Sequence, residues 1–185
     1  EEEERLRWLD EVKVLKAFYH FLLMQMYGPI PIVKTNIPVG ASASETNVYR
    51  SSIDDVVDYL TQLLDEVIEA DNLPGFINYI YTEKGRITMP IAKALKAKIL
   101  MLSASPIFNG NSDFSSLVDY QGNSLVNQSY DPQKWELAKD AVLEAIESAE
   151  VNGHSLYQFN QQLPVNGGVN DQVTQELSLR TAITE

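Results

Sequence analysis

Residues 51–70 read SSIDDVVDYLTQLLDEVIEA, and this stretch decides the fold class. Ile53, Val56, Val57, Leu60, Leu63, Leu64, Val67 and Ile68 recur at steps of three and four. That spacing lays one apolar stripe along an α-helix. Ser52, with Asp55 three residues later, resembles a capping box in which Asp stands in for the usual Glu. Asp71-Asn72-Leu73-Pro74-Gly75 then ends the helix, because proline and glycine both disfavour its continuation.

Working outward, the same period governs the flanking segments. Upstream, a helix is predicted over residues 3–27, with Leu6, Leu9, Val12, Leu15, Tyr19, Leu22 and Met26 as its buried stripe. Gly28-Pro29 stops it, and the run Pro29-Ile30-Pro31-Ile32 must be extended because each proline pushes its predecessor out of the α region. Downstream, Thr88 is a good N-cap and Pro90 is tolerated in a first turn. The helix body there interleaves Ala92, Ala94 and Ala97 with Leu95, Ile99 and Leu102. Small residues at that spacing let a neighbour approach closely, so this helix is expected at the centre. Asp131 followed by Pro132 opens a fourth helix with Trp135, Ala138, Val142, Ala145, Ile146 and Ala149 as its stripe, closed by Asn152-Gly153. Beyond Gly153 the chain turns to Gln, Asn, Gly and Val, with at most a short helix over residues 172–180.

No useful period-2 alternation occurs, so the expected class is all-α. The helix starts fall roughly forty residues apart, near the repeat length of helix–turn–helix solenoids. The expected architecture is therefore tetratricopeptide-like helical hairpins with long loop insertions over residues 1–152, followed by a loop-rich tail over 153–185.

Composition narrows the function classes. The 185 residues carry 14 Lys+Arg against 26 Asp+Glu, a net charge of 14 − 26 = −12. Such a chain repels phosphate backbones, which excludes nucleic acid as the expected partner. With no cysteine, disulfides, thiolate nucleophiles and Cys-based zinc sites are ruled out. The most apolar stretch, residues 17–27, is interrupted by His20 and Gln25 and falls short of the ~20 residues of a membrane-spanning helix. The opening run of four glutamates does not read as a signal peptide. With no initiator Met, the chain is expected to be a fragment or a processed product.

Enzyme motifs are missing: there is no phosphate-binding glycine loop, dinucleotide fingerprint, zinc-protease helix or nucleophile elbow. A non-enzymatic role with no metal and no cofactor is expected. His20 within the first helix and His154 beyond the fourth read as structural residues. Asp54, Asp55 and Asp58 read as a solvated helix face. Asn109-x-Asn111-x-Asp113 spaces its oxygens like the start of a calcium loop, but Tyr120 occupies the place of the bidentate Glu, so it reads as a polar turn. Asn127-Gln128-Ser129 fits the glycosylation pattern, a weak signal without a secretory context. Phe76, Tyr79, Tyr81, Phe108, Phe114, Tyr120, Tyr130, Tyr157 and Phe159 all fall in predicted loops. Loop aromatics either anchor the loops to the helices or stack on the flat faces of a ligand such as a sugar. Phe76, Tyr79 and Tyr81 are the candidates for ligand stacking.

Five blocks taken together resemble a known family. Lys16-Ala17-Phe18-Tyr19-His20-Phe21 with Tyr27-Gly28-Pro29-Ile30-Pro31-Ile32 is similar to the R-A-[FY]-Y-x-F and Y-G-x-[IV]-P signature of SusD/RagB outer-membrane nutrient-binding lipoproteins. Arg50-Ser51-Ser52, Gly85-Arg86-Ile87-Thr88 and Ser105-Pro106-Ile107-Phe108-Asn109-Gly110-Asn111 follow in the family's order, and then comes a helix bearing Trp135. Lys16 departs from the usual Arg. The resemblance implies a middle portion of a longer, lipid-anchored cell-surface protein, whose lipid-bearing cysteine and C-terminal part lie outside this chain. It further implies an all-α scaffold that binds oligosaccharide or peptide for nutrient uptake, acting with a SusC-like TonB-dependent transporter. Contact with the membrane would then come only through the lipid. The alternative left open by the residues themselves is a tetratricopeptide-like scaffold for protein–protein interaction.

Overall fold

The computed structural model of the chain describes residues 1–157 and 171–184, and all regular structure among them is helical. The elements are α1 (Glu2–Tyr27), α2 (Ala43–Thr46), α3 (Ile53–Ala70), α4 (Ile80–Glu83), α5 (Met89–Ala104), α6 (Gln133–Val151) and α7 (Asp171–Thr184), with one 3-10 turn at Ser112–Phe114. Two compact units divide the chain: Glu1–Asn152, and Gly153–Glu185, which carries α7. The helix suggested at residues 172–180 is thus longer than expected, and Phe159 lies outside the described residues.

Within the first unit, α3 packs against both α1 and α5, α5 packs chiefly against α6, and α1 barely meets α5. This is the stacked helix-pair arrangement that the spacing of helix starts predicts. Helix α3 behaves as read: Ile53, Val56, Val57, Leu60, Leu64 and Val67 are buried, and the Asp55 amide donates to Ser52 Oγ at 3.1 Å to cap its start. Helix α5 is central, burying Ala92, Leu95, Ala97 and Ile99. Helix α6 begins one residue later than read, with Pro132 at its N-cap, and the Asp131 carboxylate accepts from the Gln133 amide at 2.9 Å.

Helix α1 departs from its predicted face. Val14, Ala17, Phe21 and Met24 are buried together with Asp10, whereas Leu9, Val12, Leu15, Tyr19, Leu22 and Met26 stand exposed. The helix is apolar around most of its circumference, so its sequence offers two stripes of similar quality. Contact with α3 selects the narrower one, where Ala17 lets the two helices close. Helix α6 shows the same effect: it buries Ala138 and Ala141, while Trp135 and Ile146 remain exposed.

Polar side chains lock the connections. Asn72, just past the left-handed residue Asp71 (φ 52°), donates to the buried Asp10 carboxylate at 2.8 Å. Arg86 reaches Glu4 at 2.7 Å and Glu11 at 2.9 Å, and Arg7 reaches Glu83 at 2.8 Å, which ties the first turns of α1 to the α4–α5 junction. The Glu11 hydrogen bond raises the Arg86 guanidinium above its usual pKa. The Gly-Arg-Ile-Thr block therefore has a structural use. Asp54 is not simply solvated, since it pairs with Lys134 across to α6.

Candidate ligand-binding site

The connection between α5 and α6 is long, and buried polar contacts organise it. Asn109 is buried; its side-chain amide donates to the carbonyl of Asp131 at 2.8 Å, and its Oδ1 accepts from the Asp131 amide at 2.8 Å. Phe108, Leu125 and Val126 anchor the same connection in the apolar interior. Gly110 (φ 79°) passes so close that an added Cβ would lie 2.8 Å from the Tyr130 amide nitrogen. In the polar turn Asn109-x-Asn111-x-Asp113, the side-chain oxygen of Asn109 accepts from the Asp131 amide and that of Asn111 from the Asp113 amide at 3.0 Å. No cluster of potential metal ligands occurs among the described residues.

Residues 118–124 close a tight turn around Asp119. Its carboxylate accepts from the amides of Gln121 and Asn123, each at 2.8 Å, and from the Asn123 side chain at 3.0 Å. Hydrogen bonding to Asn123 holds this carboxyl below the usual carboxylate range. The turn presents Tyr120. From the other side comes the extended stretch before α3, tethered by the Ser51 amide to the Ile30 carbonyl and by the Ile53 amide to the Leu125 carbonyl, both at 2.9 Å. It presents Tyr49. The two rings meet with centroids 4.3 Å apart and planes inclined by 30°. Both stay open to solvent, at 52% and 67% exposure. Each phenol oxygen is held by a neighbouring amide: Asn47 donates to that of Tyr49 at 3.1 Å, and Gln121 to that of Tyr120 at 2.8 Å.

A preorganised aromatic surface fringed by amides is suited to stacking on a flat, hydroxylated ligand. Its aromatic rings lose little freedom on binding, because the turn and the tethers already fix the backbone beneath them. Sequence reasoning noted Tyr120 but passed over Tyr49, since nothing local marks two distant loops as neighbours.

The other aromatic candidates are placed differently. Phe76, Tyr79 and Tyr81 are exposed on one segment ahead of α5, and Tyr81 lies within α4 rather than in a loop. The ring contacts of the described residues do not pair any of the three with another aromatic. Phe108 is buried and Phe114 packs on the core, so both serve as anchors. His154 is exposed in the second unit.

No family model matches the chain, and no curated protein is significantly similar to it. Solved structures are. BT4246 aligns over 98% of this chain with 33% identity and a TM-score of 0.84, and a selenomethionine form of BT4246 aligns over 99% with 30% identity and a TM-score of 0.78. A SusD-like protein (BF3747) from Bacteroides fragilis aligns over 85% of the chain with 20% identity and a TM-score of 0.59, a likeness of fold. The chain spans 33% of the length of BT4246 and 23% of that of the Bacteroides fragilis protein. Among the described residues, no helix is long and apolar enough to cross a membrane.

Proposed function

We infer a binding protein rather than an enzyme, from an all-α fold like that of a SusD-like protein over 85% of the chain. We propose that it captures an oligosaccharide or peptide at a bacterial cell surface for nutrient uptake. In this reading it belongs to a lipid-anchored assembly at the outer membrane and works with a SusC-like TonB-dependent transporter. The observation that carries the reading is the stacked Tyr49–Tyr120 pair, an exposed ring surface held by tethered loops. We extend the contact surface to Phe76, Tyr79 and Tyr81, whose rings are also exposed.

Calorimetric titration against a panel of neutral oligosaccharides and short peptides tests the reading. Replacing either Tyr49 or Tyr120 with Ala should weaken binding about fivefold, consistent with the loss of ~1 kcal/mol for an aromatic stacking contact. Unfolding midpoints should hardly move, because both rings are exposed. Failure of every panel member to bind, together with no co-purification with a transporter, overturns it.

A second reading is favoured by one feature. Leu15, Phe18, Ile91 and Leu95 line an apolar groove of about 370 Å³ between α1 and α5, the place where a tetratricopeptide-like scaffold would grip a protein. Phe18→Asp should abolish capture of a protein partner under that reading and leave saccharide binding intact under the first.

A further inference from the structure

Helix α1 and the strand-like stretch that follows it enclose a groove of about 650 Å³, lined by Lys16, Tyr19, Lys34, Thr35 and Asn36 among others. Its walls are pinned by His20. The Val33 amide can only donate, so His20 Nε2 accepts from it at 3.4 Å. The ring proton then sits on Nδ1, which donates to the Lys16 carbonyl at 2.8 Å. Lys16 Nζ completes the clasp by donating to the Lys34 carbonyl at 2.6 Å.

Two lysines that line the groove set their ammonium groups against one aromatic ring. Lys16 Nζ lies 5.6 Å and Lys34 Nζ 5.8 Å from the centroid of the Tyr59 ring, whose π-face tempers their repulsion. Neither lysine forms an ion pair among the described residues, nor do Lys84, Lys93 and Lys98, whereas Lys13, Lys96, Lys134 and Lys139 all do. Acids outnumber bases 26 to 14 in the chain, yet the charged residues of this groove are two lysines. The groove lining contains no Asp or Glu. Like charges so placed favour a ligand that brings the opposite one.

We propose that this groove is an anion subsite that takes the carboxylate of an acidic saccharide, a uronic acid residue. The two ammonium groups face the carboxylate. Thr35 and Asn36 supply hydroxyl and amide partners for ring hydroxyls, and the exposed Tyr19 ring with Val12 and Leu15 supplies an apolar wall for the sugar face. The inference rests on the substrate-binding reading above and adds the charge class of the ligand at a second place on the scaffold.

The test is calorimetry of the full chain with tetragalacturonic acid and with its fully methyl-esterified form, which keeps the ring and removes the charge. The acid should bind about tenfold more tightly than the ester, the weight of a charge-assisted contact, and rising NaCl should erode that preference. Lys34→Met and Lys16→Met should each remove the preference while leaving binding of the ester, and Lys34→Arg should retain it. Circular dichroism checks that the variants keep their helices. Equal binding of acid and ester, a preference that survives both Met substitutions, or tighter binding of a polyglutamate peptide than of the saccharide each overturns the inference. If neutral oligosaccharides bind through Tyr49 and Tyr120 while the acid gains nothing, only the anion subsite fails. If no saccharide of either kind binds, the substrate-binding reading fails with it.

Discussion

Asn109 shows how one side chain can hold a connection that has almost no regular structure. It is buried, and both ends of its amide are used by backbone groups of Asp131 and Ala104. Asn109→Ala would strand those groups away from water, so urea denaturation should show a loss of about 1–3 kcal/mol. The block Ser-Pro-Ile-Phe-Asn-Gly-Asn is thus explained by packing and backbone pairing. Tyr59 makes the opposite case. Its hydroxyl is buried with no hydrogen-bond partner among the described residues. Tyr59→Phe removes an unsatisfied group while keeping the ring, and should raise stability by about 1 kcal/mol in the same assay.

Among the elements, α1 separates what periodicity can and cannot say. Met24 is fully buried and Met26 is 75% exposed, although both sit in the same apolar run. Met24→Ala should cost about 2–5 kcal/mol as a core truncation, whereas Met26→Ala should stay within about 0.5 kcal/mol; thermal unfolding distinguishes them. Helix α3 was legible at once because its polar residues mark a single solvent face. That face carries a penalty of its own. Partial burial, then repulsion from Asp54 and Asp55, raises the Asp58 carboxyl above its usual range. A folded-state pKa raised above the unfolded value means that the charged form destabilises the fold, a cost absent in acid that grows as pH rises through the folded pKa. Asp58→Asn should therefore stabilise by about 0.3 kcal/mol near neutrality, and the gain should vanish in titrations taken below the carboxylate range.

For the molecule as a whole, the first unit has its own interior, drawn from α1, α3, α5 and the connection to α6. We expect a chain ending at Asn152 to unfold cooperatively, with a denaturant midpoint close to that of the full chain; a lost or broadened transition would count against this. The sequence by itself determined the four long helices of the first unit, the Ser52 cap of α3 and the stops between the helices. These are set by contacts between residues a few positions apart, where spacing alone reports geometry. Only the tertiary structure decided which flank of α1 is buried, that Tyr49 meets Tyr120, and that Lys16 and Lys34 share one ring. Each depends on segments distant in the chain being brought within a few ångströms, and no local period records such a meeting.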